Sequence, residues 1–427
     1  MKTEVKKLER GRAELTVELT VEEYQPFLEK AAKAISASVK IPGFRPGQAS
    51  LDIIKKKVGE EQVWQEALEP AVQKTLVKAI DDEKLVTIGS PSIEIVKLAP
   101  NNPVIYKAVV NLLPQVEVGD LTQISIPKPE VKIDEKKLEQ SLDSLRQMRA
   151  KETLVNEAAK AGDKIEIDFD IFMDKVPVEN GKHQNFALVI GEKSFIPGFE
   201  DQLIGLSKDQ TKEFKLEFPK DYFQKNLAGR QADFKVTTKA VYHVELPQLN
   251  DEFAAQLGNF KTIDELKTQL RENLEHEAKH QADQQLEDEI MEKTIAASKF
   301  DDIPDILVDS ETKKMMEELE HNLSHQGLNL DAYLTHLKKK REELMLDFAP
   351  QALKRVKSAL ILRAVGQTQK IMAGDQEIED EVKQTLATYP NNSEAEKQIN
   401  SLPYRDYLRN VITARKVIDY LKSVMVK

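Results

Sequence analysis

A chain of 427 residues with 40% hydrophobic and 32% charged side chains has room for roughly three domains of about 150 residues each, and its composition is that of folded globular protein. The absence of cysteine excludes disulfides, thiolate metal sites and cysteine nucleophiles. A formal charge of −11 argues against bulk nucleic-acid binding, which needs a basic surplus, so no DNA partner is expected.

The charge is uneven. Residues 1–60 hold 12 Lys/Arg against 9 Asp/Glu, whereas residues 251–300 hold 6 against 12, so the N-terminal part is the place to meet an anionic partner. Residues 1–12 are charged and carry no apolar run, which gives no secretory signal. No stretch approaches 18 consecutive apolar residues, so no membrane span is expected and the expected address is the cytoplasm.

Ala13, Leu15, Val17, Leu19 and Val21 alternate, which predicts a strand with one face on a core. Helical spacing follows over Tyr24–Val39, with Pro26 near its start. Ser50 can cap a short helix, Leu51–Val58, that Gly59 ends. Val63, Ala67, Ala71, Leu76, Ala79 and Ile80 mark a longer helix, and Val104, Tyr106, Ala108 and Val110 alternate again. Between the first two helices lies Ile41-Pro42-Gly43-Phe44-Arg45-Pro46-Gly47-Gln48-Ala49. Two prolines and two glycines so close together cannot continue a helix, so this is a loop tip.

Leu113–Pro129 reads as an extended connection, and Asp134–Lys151 as a helix with Leu138, Leu142 and Leu145 on one side. A second domain begins near Gly162. Its strands are marked by Ile165/Ile167/Phe169/Ile171, Phe186/Leu188/Ile190, Phe214/Leu216/Phe218 and Phe234/Val236/Thr238/Ala240, with a short helical insert at Glu200–Leu206. These predict a small antiparallel α+β domain ending near Glu245. Beyond Pro247 the chain is helical and charged. Narrow stripes run through Ile263/Leu266/Leu270/Leu274, Met315/Met316/Leu319/Leu323 and Leu353/Val356/Leu360/Ile361. Breaks are expected at Pro304, Gly327, Pro350, Gly374, Pro390 and Pro403. Long helices with narrow apolar stripes suggest an extended helical body.

His276-Glu277-Ala278-Lys279-His280 satisfies the zinc-protease pattern H-E-x-x-H. By 100° per residue, His276 lies about 200° and His280 about 240° from Leu274 on the apolar stripe, so both face solvent. No third ligand is evident, and none accompanies the similarly spaced His321 and His325; neither metal nor cofactor is expected. Phe195-Ile196-Pro197-Gly198-Phe199-Glu200-Asp201-Gln202-Leu203 is a strand-to-helix turn presenting Ile196 and Phe199. Those two side chains could simply fill a β core. From pattern alone that is the commoner outcome; the case for a pocket is the excess of aromatics (Phe169, Phe186, Phe199, Tyr222, Phe234) in a domain too small to bury them all fully.

The run Ile190-Gly191 … Ile196-Pro197-Gly198-Phe199-Glu200 … Gly205 with Phe218-Pro219-Lys220-Asp221-Tyr222 resembles the FK506-binding type of peptidyl-prolyl isomerase. The order of segments along the whole chain resembles the bacterial trigger factor family. Gly43-Phe44-Arg45-Pro46-Gly47 is similar to that family's ribosome-docking signature. Leu246-Pro247-Gln248-Leu249-Asn250-Asp251-Glu252-Phe253 is similar to its exit from the isomerase domain, and Ile303-Pro304-Asp305-Ile306-Leu307-Val308-Asp309-Ser310-Glu311 to its helix-arm entry.

The resemblance implies a multidomain α+β protein. Residues 1–112 would be an α+β ribosome-docking domain, and 113–150 a linker packing along the helical body. Residues 151–246 would be an FKBP-like antiparallel β isomerase domain, and 247–427 an elongated all-α client-binding domain with arms. The implied function is an ATP-independent chaperone that docks on the large ribosomal subunit near the exit tunnel, holds nascent and unfolded chains, and isomerises X–Pro bonds. A non-ribosomal holdase, or an isomerase with substrate-recruiting flanks, stays open, as does a homodimer of the free protein.

By resemblance the isomerase pocket is walled by Phe169, Phe186, Ile196, Phe199, Tyr222 and Phe234, with the Ile196 N–H holding a substrate carbonyl; Gly43, Phe44, Arg45, Pro46 and Gly47 meet the ribosome. Two stretches depart from the family. Val178-Glu179-Asn180-Gly181 stands where an aromatic, an acid and two glycines are usual, which counts against full activity. Gln48-Ala49-Ser50 replaces a lysine and a proline after the docking loop, where Lys55, Lys56 and Lys57 could compensate. Met315, Met316, Met345 and Met372 suit adaptable client contacts, although core filling is the commoner fate of any one of them.

Overall fold

The computed structural model describes residues 1–39, 41–129, 134–222, 224–225, 227–390 and 392–427, with 179 and 180 described by backbone alone. They form two compact units, one of Met1–Pro129 with Gln284–Lys427 and one of Glu130–Asp283.

In the first unit, β1 (Lys2–Leu8) and β2 (Arg12–Leu19) make a hairpin. Its turn residues Arg10 and Gly11 take φ of 60° and 63°, which suits the twist of paired strands. The alternation of β2 buries Ala13, Leu15, Val17 and Leu19, but it stops short of Val21. Thr20 and Glu23 cap each other's backbone, so Val21 begins a helix, α1 (Val21–Ser38); a reciprocal cap outweighs one more apolar step in a strand pattern. α2 (Leu51–Val58) and α3 (Glu60–Asp82) follow, then β3 (Thr87–Lys97) and β4 (Val104–Leu112), giving an antiparallel sheet ordered β1-β2-β4-β3. The helices join its buried side chains in one core. Tyr24 stacks on Trp64 at 5.0 Å, and its hydroxyl donates to the Trp64 carbonyl at 2.8 Å.

Both edge strands escaped the sequence reading. β3 is exposed along most of its length and contains Gly89 and Pro91, and its short alternation at Ile93 and Ile95 is exposed and buries no core face, as befits a guarded edge. After β4 the chain stays on this unit. β5 (Val116–Glu117) pairs with a strand far downstream, and the Ile126 N–H donates to the Met425 carbonyl at 2.8 Å.

In the second unit, α4 (Glu135–Met148) buries Leu138 and Leu142 against Phe253 and Leu266. The helix ends at Met148, and β6 (Lys151–Val155) is a fifth strand that helical spacing up to Lys151 concealed. β7 (Lys164–Met173), β8 (Val176–Val189), β9 (Thr211–Glu217) and β10 (Gln231–Glu245) complete an antiparallel sheet. Its order is β6-β10-β7-β8, with β9 also paired to β10. The insert after Phe199 is a 3-10 turn at Glu200–Gln202. α5 (Asp251–Leu257) and α6 (Ile263–Ala297) follow.

The helical part of the first unit comprises the end of α6, β11 (Lys299–Phe300, the partner of β5), α7 (Asp305–His325), α8 (Leu330–Leu337), α9 (Arg341–Gln369), α10 (Asp375–Thr388), α11 (Ser393–Ile399) and α12 (Leu402–Met425). Ile290, Ile361, Val417, Leu421 and Met425 are fully enclosed at its centre. Pro350 does not break the chain but sits inside α9. The expected breaks at Pro304 and Gly374 are helix N-caps.

Candidate functional site

Four strands of the second unit and the turns that follow two of them bring a set of aromatic rings together. Phe169 on β7 lies edge-on to Phe186 of β8 at 5.4 Å, to Phe195 at 5.4 Å and to Phe199 at 5.9 Å. Phe234 on β10 meets Phe199 at 5.4 Å and Phe218 at 5.9 Å, and Phe218 in turn meets Tyr222 at 4.7 Å. Five of the six residues expected at the isomerase site are thus linked ring to ring. The sixth, Ile196, is buried in the same cluster. Phe169, Phe199 and Phe234 are core residues, while Phe186 and Tyr222 are half-buried at the cluster's margin. Burial raises the Tyr222 hydroxyl above its ordinary pKa, so it stays protonated at neutral pH.

Sequence reasoning missed three ring neighbours. Phe195 lies 4.1 Å from Phe199, and Phe214 stacks on Phe234 at 5.7 Å; Phe218 bridges to Tyr222. Each belonged to a stretch already singled out, and strand parity would have put Phe214 and Phe218 on one face. Val178, which stands where an aromatic is usual, packs on this core. A cavity of about 480 Å³ opens on Phe172, Phe214 and Phe234. Of the six expected residues it touches only Phe234.

The turn bearing Ile196 is held by a buried acid. Glu200 is 6% exposed. Its carboxylate accepts from the backbone N–H of Gly191 at 2.8 Å, Lys193 at 2.9 Å, Ser194 at 2.7 Å and Phe195 at 3.4 Å. Burial pushes its pKa up, but those four donors outweigh burial and hold it below the ordinary glutamate value. The Phe199 N–H closes the turn on the Ile196 carbonyl at 3.1 Å. The Ile196 N–H itself finds no acceptor among the described residues, although Ile196 is only 7% exposed. Buried donors rarely stay unpaired.

In the first unit the loop at 41–49 stands on buried feet, Ile41 and Ala49. The Gly47 N–H donates to the Ser36 carbonyl at 3.0 Å, and the Ala49 N–H to the Ser36 hydroxyl at 3.2 Å. Gly43 and Gly47 take φ of 84° and 78°, which glycine adopts freely. Phe44 is 43% exposed between them, and Arg45 beside it is exposed with no carboxylate partner among the described residues. Lys55 is not free to reinforce the loop, because it pairs with Glu60 at 2.8 Å. Of the four methionines considered for client contact, Met315 and Met316 are buried and Met345 packs on the α7–α8–α9 core; Met372 is 70% exposed.

Residues 1–145 match the family described as bacterial trigger factor protein, 262–423 match the trigger factor C-terminus, and 155–247 match FKBP-type peptidyl-prolyl cis-trans isomerase. Trigger factor of Carboxydothermus hydrogenoformans is 35% identical over 99% of this chain and 98% of its own length. That of Caldicellulosiruptor saccharolyticus is 33% identical over 99% and 96%. The chain belongs to the trigger factor family. A solved structure titled "Promiscuous Substrate Recognition in Folding and Assembly Activities of the Trigger Factor Chaperone" aligns over 99% of both chains at 22% identity and a TM-score of 0.49. As a trigger factor the chain is a chaperone whose middle segment is a peptidyl-prolyl isomerase. Among its described residues no helix is long and apolar enough to cross a membrane.

Proposed function

We propose that this trigger factor docks on the ribosome through Gly43–Gly47, holds emerging chains on the helical segment 247–427, and isomerises X–Pro bonds at the margin of the aromatic cluster. On this reading 1–112 is the docking domain, 113–150 the linker and 151–246 the isomerase, and the work is ATP-independent. The observation that carries the isomerase site is the N–H of the buried residue Ile196, a donor with no acceptor among the described residues, in the same cluster as Phe186, Phe199 and Tyr222. An X–Pro bond resists rotation because amide resonance gives a barrier of about 18–20 kcal/mol. An apolar wall disfavours the charge-separated planar form, and a donor on the neighbouring carbonyl fixes the peptide while the bond twists. Catalysis of this kind works by complementarity to the twisted state and needs no nucleophile.

For docking, the supporting observation is Phe44, a large apolar side chain presented at a pinned loop tip, with the Arg45 guanidinium beside it lacking a carboxylate partner among the described residues. Loops on rigid feet commonly carry binding residues, and arginine suits phosphate and carboxylate alike. Co-sedimentation with bacterial ribosomes across a salt series tests this, beside a variant with Phe44→Ala and Arg45→Ala together. Binding that weakens with salt and is lost in the variant supports docking. Absence of binding at every salt concentration supports the second reading, a holdase acting on released chains, which Gln48, Ser50 and the engaged Lys55 favour.

A further inference from the structure

Helix α7 ends in two histidines one turn apart. His321 and His325 are both exposed, with Nε2 atoms 3.0 Å apart and ring planes at 84°. His276 and His280 have the same spacing on α6, yet no hydrogen bond or ring contact joins them. Spacing alone therefore treated the two pairs alike, and only the structure separates them.

We propose that His321 and His325 form a two-nitrogen chelate for a divalent transition-metal ion of the copper(II) or nickel(II) class. Metal–imidazole bonds measure about 2.0–2.1 Å, so two ligands at a right angle on one ion stand about 2.9 Å apart, and two at a tetrahedral angle about 3.3–3.4 Å. The observed 3.0 Å fits the right angle of square-planar or octahedral coordination, the preference of copper(II) and nickel(II). The helix already places both rings on one face, so binding asks for side-chain rotation alone. Without metal, one ring donates its Nε2–H to the other. On binding, that ring moves this proton to its own Nδ1 through solvent, and both Nε2 lone pairs then face the ion. No cluster of three or more His, Asp or Glu ligands exists among the described residues, so the remaining positions on the ion are left to exchangeable ligands.

Calorimetric titration of the full-length chain with NiCl2 and with CuCl2 tests this, beside His321→Ala, His325→Ala and the double variant His276→Ala/His280→Ala. Expected is one ion per chain, bound more tightly for copper than for nickel. Either single variant weakens binding at least about tenfold, because the second nitrogen otherwise binds intramolecularly at millimolar effective concentration. The double variant on α6 binds as the parent does. Far-UV circular dichroism confirms that the variants keep their helix content. Binding that survives either single change within twofold, or that is lost in the α6 variant instead, overturns the proposal. A preference for zinc over both ions overturns the right-angle geometry.

Discussion

Replacing Glu200 with glutamine takes one carboxylate oxygen from a turn that leans on two. One oxygen accepts from the N–H of Ser194 and Phe195, the other from Gly191 and Lys193. An amide can keep one pair; its NH2 then faces the other pair, donor against donor. A hydrogen bond to a charged group contributes about 1.5–3 kcal/mol. Gly191 and Lys193 are exposed, so water recovers part of the loss, leaving roughly 2–3 kcal/mol for the pair. That corresponds to about 30- to 150-fold in the opening equilibrium of the turn. Hydrogen exchange read by mass spectrometry on peptides spanning 188–206 should show protection reduced by that factor at pH 7. Because the folded-state pKa of Glu200 is depressed, its stabilisation is complete above the unfolded value of about 4.3. It disappears as pH falls through the folded value, so parent and variant should converge in acid. Exchange in the variant within threefold of the parent at pH 7, or a gap that persists in acid, would refute this account of how the Ile196 turn is held.

Phe199→Ala removes a fully buried ring with four aromatic neighbours. It should cost about 3–5 kcal/mol of isomerase-unit stability and abolish proline isomerisation, while protection of an aggregation-prone client persists; loss of both would make the isomerase the primary activity. Gly11→Ala sets a Cβ hard against the Asp302 carbonyl oxygen at a φ of +63°, whereas Gly47→Ala at +78° meets nothing within 4 Å. The second should cost only the left-handed strain of about 1–2 kcal/mol and the first distinctly more, read in urea by the fluorescence of Trp64, the single tryptophan. Tyr106→Phe breaks the buried 2.8 Å bond to the Thr75 hydroxyl and should lower stability on the same probe by about 1 kcal/mol; an unchanged midpoint would show that the Ala71 carbonyl, which Thr75 also reaches, satisfies that hydroxyl alone.

Local pattern determined much of this protein. The alternations at 13–19 and 104–110, the stripes of α4 and α7 and the glycine–proline punctuation of the loop at 41–49 are properties of short stretches, and each survives in the fold; Ser50 stands at the N-terminus of α2, but its side chain makes no capping bond. Phe169, Phe186, Phe199, Tyr222 and Phe234 were legible as strand alternations and two short motifs spread over the middle segment, but which rings touch was not. What the tertiary structure decided is everything that depends on partners distant in sequence. β1 and β3 are strands because β2 and β4 hold them, not because their own side chains bury an alternating apolar face. β6 is a strand because β10 offers an edge. Pro350 stays inside α9, whose packing on α7 and α12 sustains a helix that local propensity would interrupt. Lys55 is engaged by Glu60, and Met315 and Met316 turn inward to the core. His321 and His325 meet while the identically spaced His276 and His280 do not. Burial and side-chain pairing are relations between separated segments, and one-dimensional periodicity records only the face a residue shows, not what it meets there.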